Sequence, residues 1–157
     1  MNDETPSDYA SELTQLGQFL PYRVSKLHAK LNTQATKILR ESVGISQNQW
    51  RMIAFIGSAR TITASELVTD SAMDKGLVSR KVKSLIEAGL VTSSTHEKDS
   101  RVHVLNLTPA GRGVYNTALP IMRRRQIHLQ KTLRDVDIET FRRVIDALEV
   151  ASEETDI

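Results

Sequence analysis

Asp74-Lys-Gly-Leu-Val-Ser-Arg-Lys-Val-Lys-Ser-Leu-Ile-Glu-Ala-Gly-Leu-Val91 is the stretch whose reading decides the fold. Wound as a helix, it places Val78, Val82 and Leu85, with Ile86 beside them, at i, i+4, i+7 and i+8 on one apolar stripe. Gly76, Ser79, Arg80 and Lys83 project from the other side. A helix anchored by one face and offering Ser, Arg and Lys on the other suits a DNA major groove. Arg grips guanine edges there, Ser serves several acceptors and Lys neutralises phosphate. Gly76 lets a backbone approach closely. On this segment alone, an ordinary solvated surface helix fits as well.

Working outward, the charge pattern favours a polyanion. From Ser100 to Arg134 there are seven basic residues and no acid, and Asp74–Arg134 as a whole carries +8 against −6 for its flanks. A basic middle between acidic ends is the footprint of a polyanion-binding core. The chain of 157 residues, 39% hydrophobic and 25% charged, has room for one domain with extensions. It contains no cysteine, which excludes disulfides, thiolate zinc sites and cysteine-based peroxide sensing and points to a cytoplasmic location. No secretory signal and no membrane-length apolar run is present, so no membrane partner is expected. His28, His96, His103 and His128 are scattered; His96 and His103, facing one another across a hairpin, would make only two ligands without acids, so neither metal nor cofactor is expected. No phosphate-cradling loop or nucleophile–base pair appears, and an enzyme is not expected.

Helix starts are written in side-chain chemistry. Ser46-Gln-Asn-Gln49 and Thr63-Ala-Ser-Glu66 are capping boxes, and Asp74 caps the quoted helix. Thr108-Pro109 pairs a hydroxyl cap with Pro at the first helical position, and Asp137 with Glu139 opens the last helix. The pattern predicts helices from about Gln47 to Ile56, ended by Gly57, from Ala64 to about Asp70, and from Asp74 to a close at Gly89. Leu90–His96 and Arg101–Leu107 read as strands separated by Glu97-Lys-Asp-Ser100, with Thr61-Ile62-Thr63 available as a short third strand.

Residues 1–19 read as a mostly flexible acidic segment. Leu20, Val24, Leu27, Leu31, Ala35 and Ile38 trace a stripe on a first helix; Ala110–Arg134 forms a long helix bent at Pro120; Phe141, Val144, Ile145 and Leu148 stripe the last. A small winged helix cannot cover all of these, and a second copy is the simplest cover. The expected fold is therefore mainly α with a small β-hairpin (α+β). A winged helix-turn-helix at 45–109 is flanked by N- and C-terminal dimerisation helices at 20–42 and 110–153.

From about Leu20 to Val150 the chain resembles the MarR family (multiple antibiotic resistance regulators) of winged-helix transcription factors. The resemblance rests on Gln49-Trp50-Arg51, Ser65-Glu66-Leu67, Asp74-Lys75…Val78-Ser79-Arg80…Leu85-Ile86-Glu87…Gly89-Leu90-Val91 and Asp99-Ser-Arg101…Leu105-Asn-Leu107-Thr108-Pro109-Ala-Gly111, in that order and spacing. Leu77 stands where the family often has a polar residue, and Ser71 and Ala72 where Leu and Gly are common. The resemblance implies a homodimer on a pseudo-palindromic DNA operator, usually a repressor, released by a small effector, often an aromatic acid or phenol. It places Ser79, Arg80 and Lys83 nearest the bases, with Gly76 allowing close approach and Lys75 and Lys81 towards phosphates. In the wing, Asp99 and Arg101 look like the family's paired residues, the carboxylate fixing an Arg aimed at a minor groove, with Lys98 at phosphate; the same pair would also staple the hairpin. Ser65, with Arg51 and Arg60, would add backbone contacts. For the effector crevice the resemblance points to Tyr22, Arg23, His28, Trp50, Arg51 and Tyr115, although Trp50 also suits a core and His28 an interface. The competing reading is a winged helix used for protein contact or dimerisation without operator specificity.

Overall fold

The computed structural model describes residues 15–59, 62–71, 73–96, 99–133 and 137–155, with the backbone alone at 96 and 99–101. Its contacts divide the chain into two compact units, Met1–Ala118 and Leu119–Ile157. In the first, a 3-10 turn (Leu16–Gln18) leads into α1 (Leu20–Val43), α2 (Gln47–Ser58), β1 (Ile62–Thr63), α3 (Ala64–Ser71) and α4 (Lys75–Glu87). The hairpin β2 (Val91–His96) and β3 (Asp99–Leu107) follows, then α5 (Pro109–Lys131), which runs on into the second unit ahead of α6 (Ile138–Ala151).

The caps place the helix starts. Ser46 Oγ accepts the Gln49 N–H at 3.3 Å while Gln49 Oε1 accepts the Ser46 N–H at 3.0 Å, opening α2. Thr63 and Glu66 exchange bonds the same way before α3, and they hold the Glu66 carboxyl below the ordinary carboxylate range. Asp74 Oδ1 accepts the Leu77 N–H at 2.9 Å and Thr108 Oγ1 the Gly111 N–H at 3.0 Å. Asp137 accepts from the Thr140 hydroxyl and the Glu139 N–H, which lower its carboxyl in turn. Each such cap contributes about 0.5–2 kcal/mol. Gly89, at φ +69°, turns the chain out of α4 through a left-handed residue.

The core lies between α2, α4 and the sheet. Trp50, Met52, Ile53 and Ile56 of α2 are buried, as are Val78, Val82 and Leu85 of α4 and Leu67 of α3. Ile62, Val91, Val104 and Leu105 close it from the sheet, and Ala35 and Leu39 of α1 from the side. A side chain buried to this degree stabilises by about 1.5–3 kcal/mol. Ile86, assigned to the apolar stripe from spacing, is 39% exposed and marks the stripe's edge.

The sheet is antiparallel in the order β1-β3-β2, with Ile62 opposite Leu105 and Val91 opposite Leu107. Two expectations are corrected here. The strands are joined by residues 97–98 alone, because a register shift at Thr95/His96 lets Asp99 pair with His96 and begin β3 two residues early. By the same register His103 lies opposite Thr95, so the two histidines are not cross-strand partners.

Gly57 does not end its helix, which continues to Ser58. A Cβ there would sit 2.5 Å from the ring of Tyr115, so the missing side chain clears a path for α5 rather than breaking α2. Alanine is worth about 1 kcal/mol more than glycine inside a helix. Gly57→Ala should nevertheless destabilise by about 1–3 kcal/mol through overpacking, since the Tyr115 ring must shift from its stack on Trp50 to admit a methyl. A lower urea midpoint at unchanged m-value is the expected result; a higher midpoint would contradict this packing.

In the second unit, α5 passes through Pro120 to Lys131, and α6 exposes every residue after the half-buried Ile138. Phe141, Val144, Ile145 and Leu148 are 37–50% exposed on one face of α6. In the first unit, Leu20, Val24 and Leu27 leave the first half of α1 equally uncovered. Among the described residues no helix is long and apolar enough to cross a membrane.

Candidate nucleic-acid interface

Burial of Val78, Val82 and Leu85 fixes the rotation of α4 and turns Ser79, Arg80 and Lys83 outward, all three exposed. Lys75, also exposed, leads the first turn, while Gly76 and Lys81 are half-buried. Arg80 lies over Gly76: a Cβ on that glycine would come 3.0 Å from Asp74 Oδ1 and 3.6 Å from Arg80 Nη1. The bare backbone gives the guanidinium a seat beside the cap. Lys83 stands 3.9 Å from Glu87, with both side chains well exposed. Such a pair is worth at most about 1 kcal/mol in water, so a phosphate can displace the carboxylate.

Four of the residues expected at DNA share one groove. Ser65 of α3 and Lys75, Ser79 and Lys83 of α4 line a cavity of about 660 Å³ running from α3 along α4 to the sheet, floored by Val78, Val82 and Leu105. Arg80 is absent from that lining, and 100° per residue puts it on the outer crest of α4. Lys81 falls on the opposite flank, beside Ser84, which accepts a bond from Gln49 Nε2 at 3.3 Å. Sequence reasoning missed Ser93 and His103 in the groove wall. The alternation of His103 and Leu105, with Ser93 opposite Leu105, was the available signal. Of the other expected contacts, Lys98 and Arg60 lie outside the described residues, as do the side chains of Asp99 and Arg101.

The residues expected at an effector crevice sit in two places within one chain. Trp50 is buried and stacks on Tyr115, ring centroids 6.0 Å apart at 24°. Arg112 lies 5.3 Å over the other ring partner, Tyr115, and donates to the Gly57 carbonyl at 2.7 Å. Arg51 donates to the carbonyl of Ser71 and so secures the end of α3. Tyr22, Arg23 and His28 instead lie on the exposed half of α1. Tyr22 and Arg23 share a shallow cavity of about 260 Å³ with Lys26 and Lys30. Among the described residues no group of three His, Cys, Asp or Glu is arranged to hold a metal.

Comparison with known proteins agrees with this geometry. Residues 43–102 match the model of the MarR family. The chain is 28% identical over 133 residues to the HTH-type transcriptional regulator TcaR of Staphylococcus aureus, covering 83% of this chain and 87% of that protein. In fold it resembles a MarR/EmrR family transcriptional regulator from Acinetobacter sp. ADP1, with TM-score 0.75 and 21% identity over 96% of this chain and 99% of that one. It also resembles MepR of S. aureus, solved as a complex with DNA, with TM-score 0.79 and 14% identity over 87% and 99%. With the winged helix, the outward face of α4 and these relatives in agreement, the chain is similar over residues 43–102 to the MarR family and shares its fold with solved transcriptional regulators of that family.

Proposed function

We propose that this regulator is a cytoplasmic repressor that binds a pseudo-palindromic operator as a homodimer and leaves it when a small aromatic or phenolic effector binds. The observation that carries the reading is α4, held by three buried residues and presenting Ser79, Arg80 and Lys83 to solvent. In a two-fold assembly the two α4 helices address half-sites roughly one helical turn, about 10 base pairs, apart. The uncovered apolar faces of α1 and α6 support the assembly, since a stripe of that kind is most simply buried on a second copy. Ser79, Arg80 and Lys83 lie nearest the base edges, Lys75 and Lys81 meet phosphates, and Ser65 adds a backbone contact from α3. In the wing, Arg101 held by Asp99 serves the minor groove and Lys98 a phosphate, as the family resemblance implies. Tyr22, Arg23, His28, Trp50, Arg51 and Tyr115 supply the effector crevice once the dimer brings its elements together.

The test is fluorescence anisotropy on DNA upstream of the chain's own gene, titrated with salt and then with aromatic acids. If several cations meet phosphate, affinity should fall about 10³–10⁵-fold between 50 and 200 mM salt, and an effector should release the remaining complex. A flat salt dependence contradicts the basic interface. Operator binding that no aromatic acid or phenol disturbs removes the effector from this reading.

A further inference from the structure

The exit of α4 and the first turn of α5 are locked together by one side chain. Leaving α4, the Gly89 N–H donates to the Ile86 carbonyl and the Leu90 N–H to the Leu85 carbonyl, both at 2.9 Å. That leaves the carbonyls of Gly89 and Leu90 to be met from outside the helix, and Thr108 meets both. Its hydroxyl donates to Gly89 O at 2.7 Å and its N–H to Leu90 O at 3.1 Å. The same hydroxyl accepts the Gly111 N–H at 3.0 Å, so its donor and one acceptor site are both committed. Gly111 has no space for a side chain: a Cβ would fall 1.9 Å from the Leu90 carbonyl oxygen. One turn later Arg112 ties α5 to α2 at Gly57, and in the last turn of α4 the Gln49 amide holds Ser84.

We infer that Thr108 is a positioning residue that sets the angle of the reading helix against α5, and through it the number of base pairs tolerated between half-sites. The inference rests on the operator reading above. Its scale follows from the length of α4, whose 13 residues at about 1.5 Å each span roughly 20 Å from this joint to the first turn. A pivot of about 10° at the joint moves that turn by roughly 3.4 Å, the rise of one base pair on a strand. A hydroxyl that only capped α5 would affect stability and leave spacing alone. Thr108 also grips the far end of the helix that carries Arg80, so loosening it lets the reading end swing across neighbouring base steps.

The experiment uses the full chain and an operator recovered by selection, rebuilt with one and two base pairs added to or removed from its centre. Thr108→Val keeps the side chain's shape and removes the hydroxyl; Thr108→Ser keeps the hydroxyl. Wild type and Thr108→Ser should favour the selected spacing over its neighbours by at least about tenfold. Thr108→Val should lose most of that preference while keeping wild-type affinity for a single half-site. Retained preference in Thr108→Val, or an equal loss at every spacing, overturns the inference. If Thr108→Val lacks a native circular dichroism spectrum, Thr108→Ala, measured well below its own melting midpoint, is judged by the same two results. A wild type that is indifferent to spacing overturns the two-fold operator reading itself, and this inference falls with it.

Discussion

Arg80→Ala should lose about 10- to 100-fold in operator affinity per half-site while its circular dichroism and melting midpoint stay those of the wild type. The size follows from chemistry: a bidentate Arg–guanine pair discriminates by about 1–3 kcal/mol, and alanine offers neither donor nor reach. The selectivity of the effect follows from the structure. Arg80 is exposed on the crest of α4, and no core residue depends on it, so the folded state should change by no more than about 0.5 kcal/mol. Binding to random DNA should persist, because Lys75, Lys83 and the rest of the basic surface still meet phosphate. Competition anisotropy of operator against random duplex measures the difference. If the operator stays preferred to the wild-type degree, Arg80 does not read bases.

The glycine beneath it makes a related point about how such a helix is read. Gly76 looks costly in a first turn, where glycine gives up about 1 kcal/mol of helix propensity. Its absent Cβ leaves room both for the Asp74 cap and for the Arg80 guanidinium, two groups that a methyl would crowd together.

Features written in adjacent residues were legible in the sequence. The boxes at Ser46–Gln49 and Thr63–Glu66 and the caps at Asp74, Thr108 and Asp137 place helix starts because donor and acceptor lie within three residues of one another. The stripe of Val78, Val82 and Leu85 is likewise local, and it fixed which side of α4 faces outward. Features that depend on distant partners were not legible. Gly57 reads as a helix stop until Tyr115, far along the chain, is seen to need its space. Asp99 and Ser100 read as turn residues, and only the pairing of His96 with Asp99 shows that they belong to β3. Arg51 reads as a cation for the DNA backbone or an effector, and its bond to the Ser71 carbonyl is written nowhere near it in the sequence. The groove that gathers Ser65, Lys75, Ser79 and Lys83 also takes in His103, because β3 crosses behind a helix with which it shares no sequence pattern. The six residues proposed for the effector lie apart, some at a buried stack and some on an exposed helix, and in the proposed dimer one chain supplies only part of the surface they need.

That missing surface leads to the second large effect, expected from Ile145→Glu. In the single chain Ile145 is 37% exposed, and Phe141, Val144 and Leu148 beside it are open to the same degree or more. A glutamate there costs an isolated helix little: it is a good helix former, and Arg142 three residues back offsets Glu149 four residues ahead. If that face is solvated, the change should be neutral within about 0.5 kcal/mol. If a second copy covers it, the dimer must bury a carboxylate without a partner, at several kcal/mol. The expected result is a dimer for the wild type and a monomer for Ile145→Glu by sedimentation at micromolar concentration, with helix content retained. Operator affinity should then fall by about 10²–10⁴-fold, because the second half-site no longer binds as an intramolecular event. Affinity for a single half-site should be unchanged, since α4 and its anchors lie in the other compact unit of the chain. An Ile145→Glu protein that still sediments as a dimer and binds the operator as the wild type does would place the contact between copies somewhere other than α6.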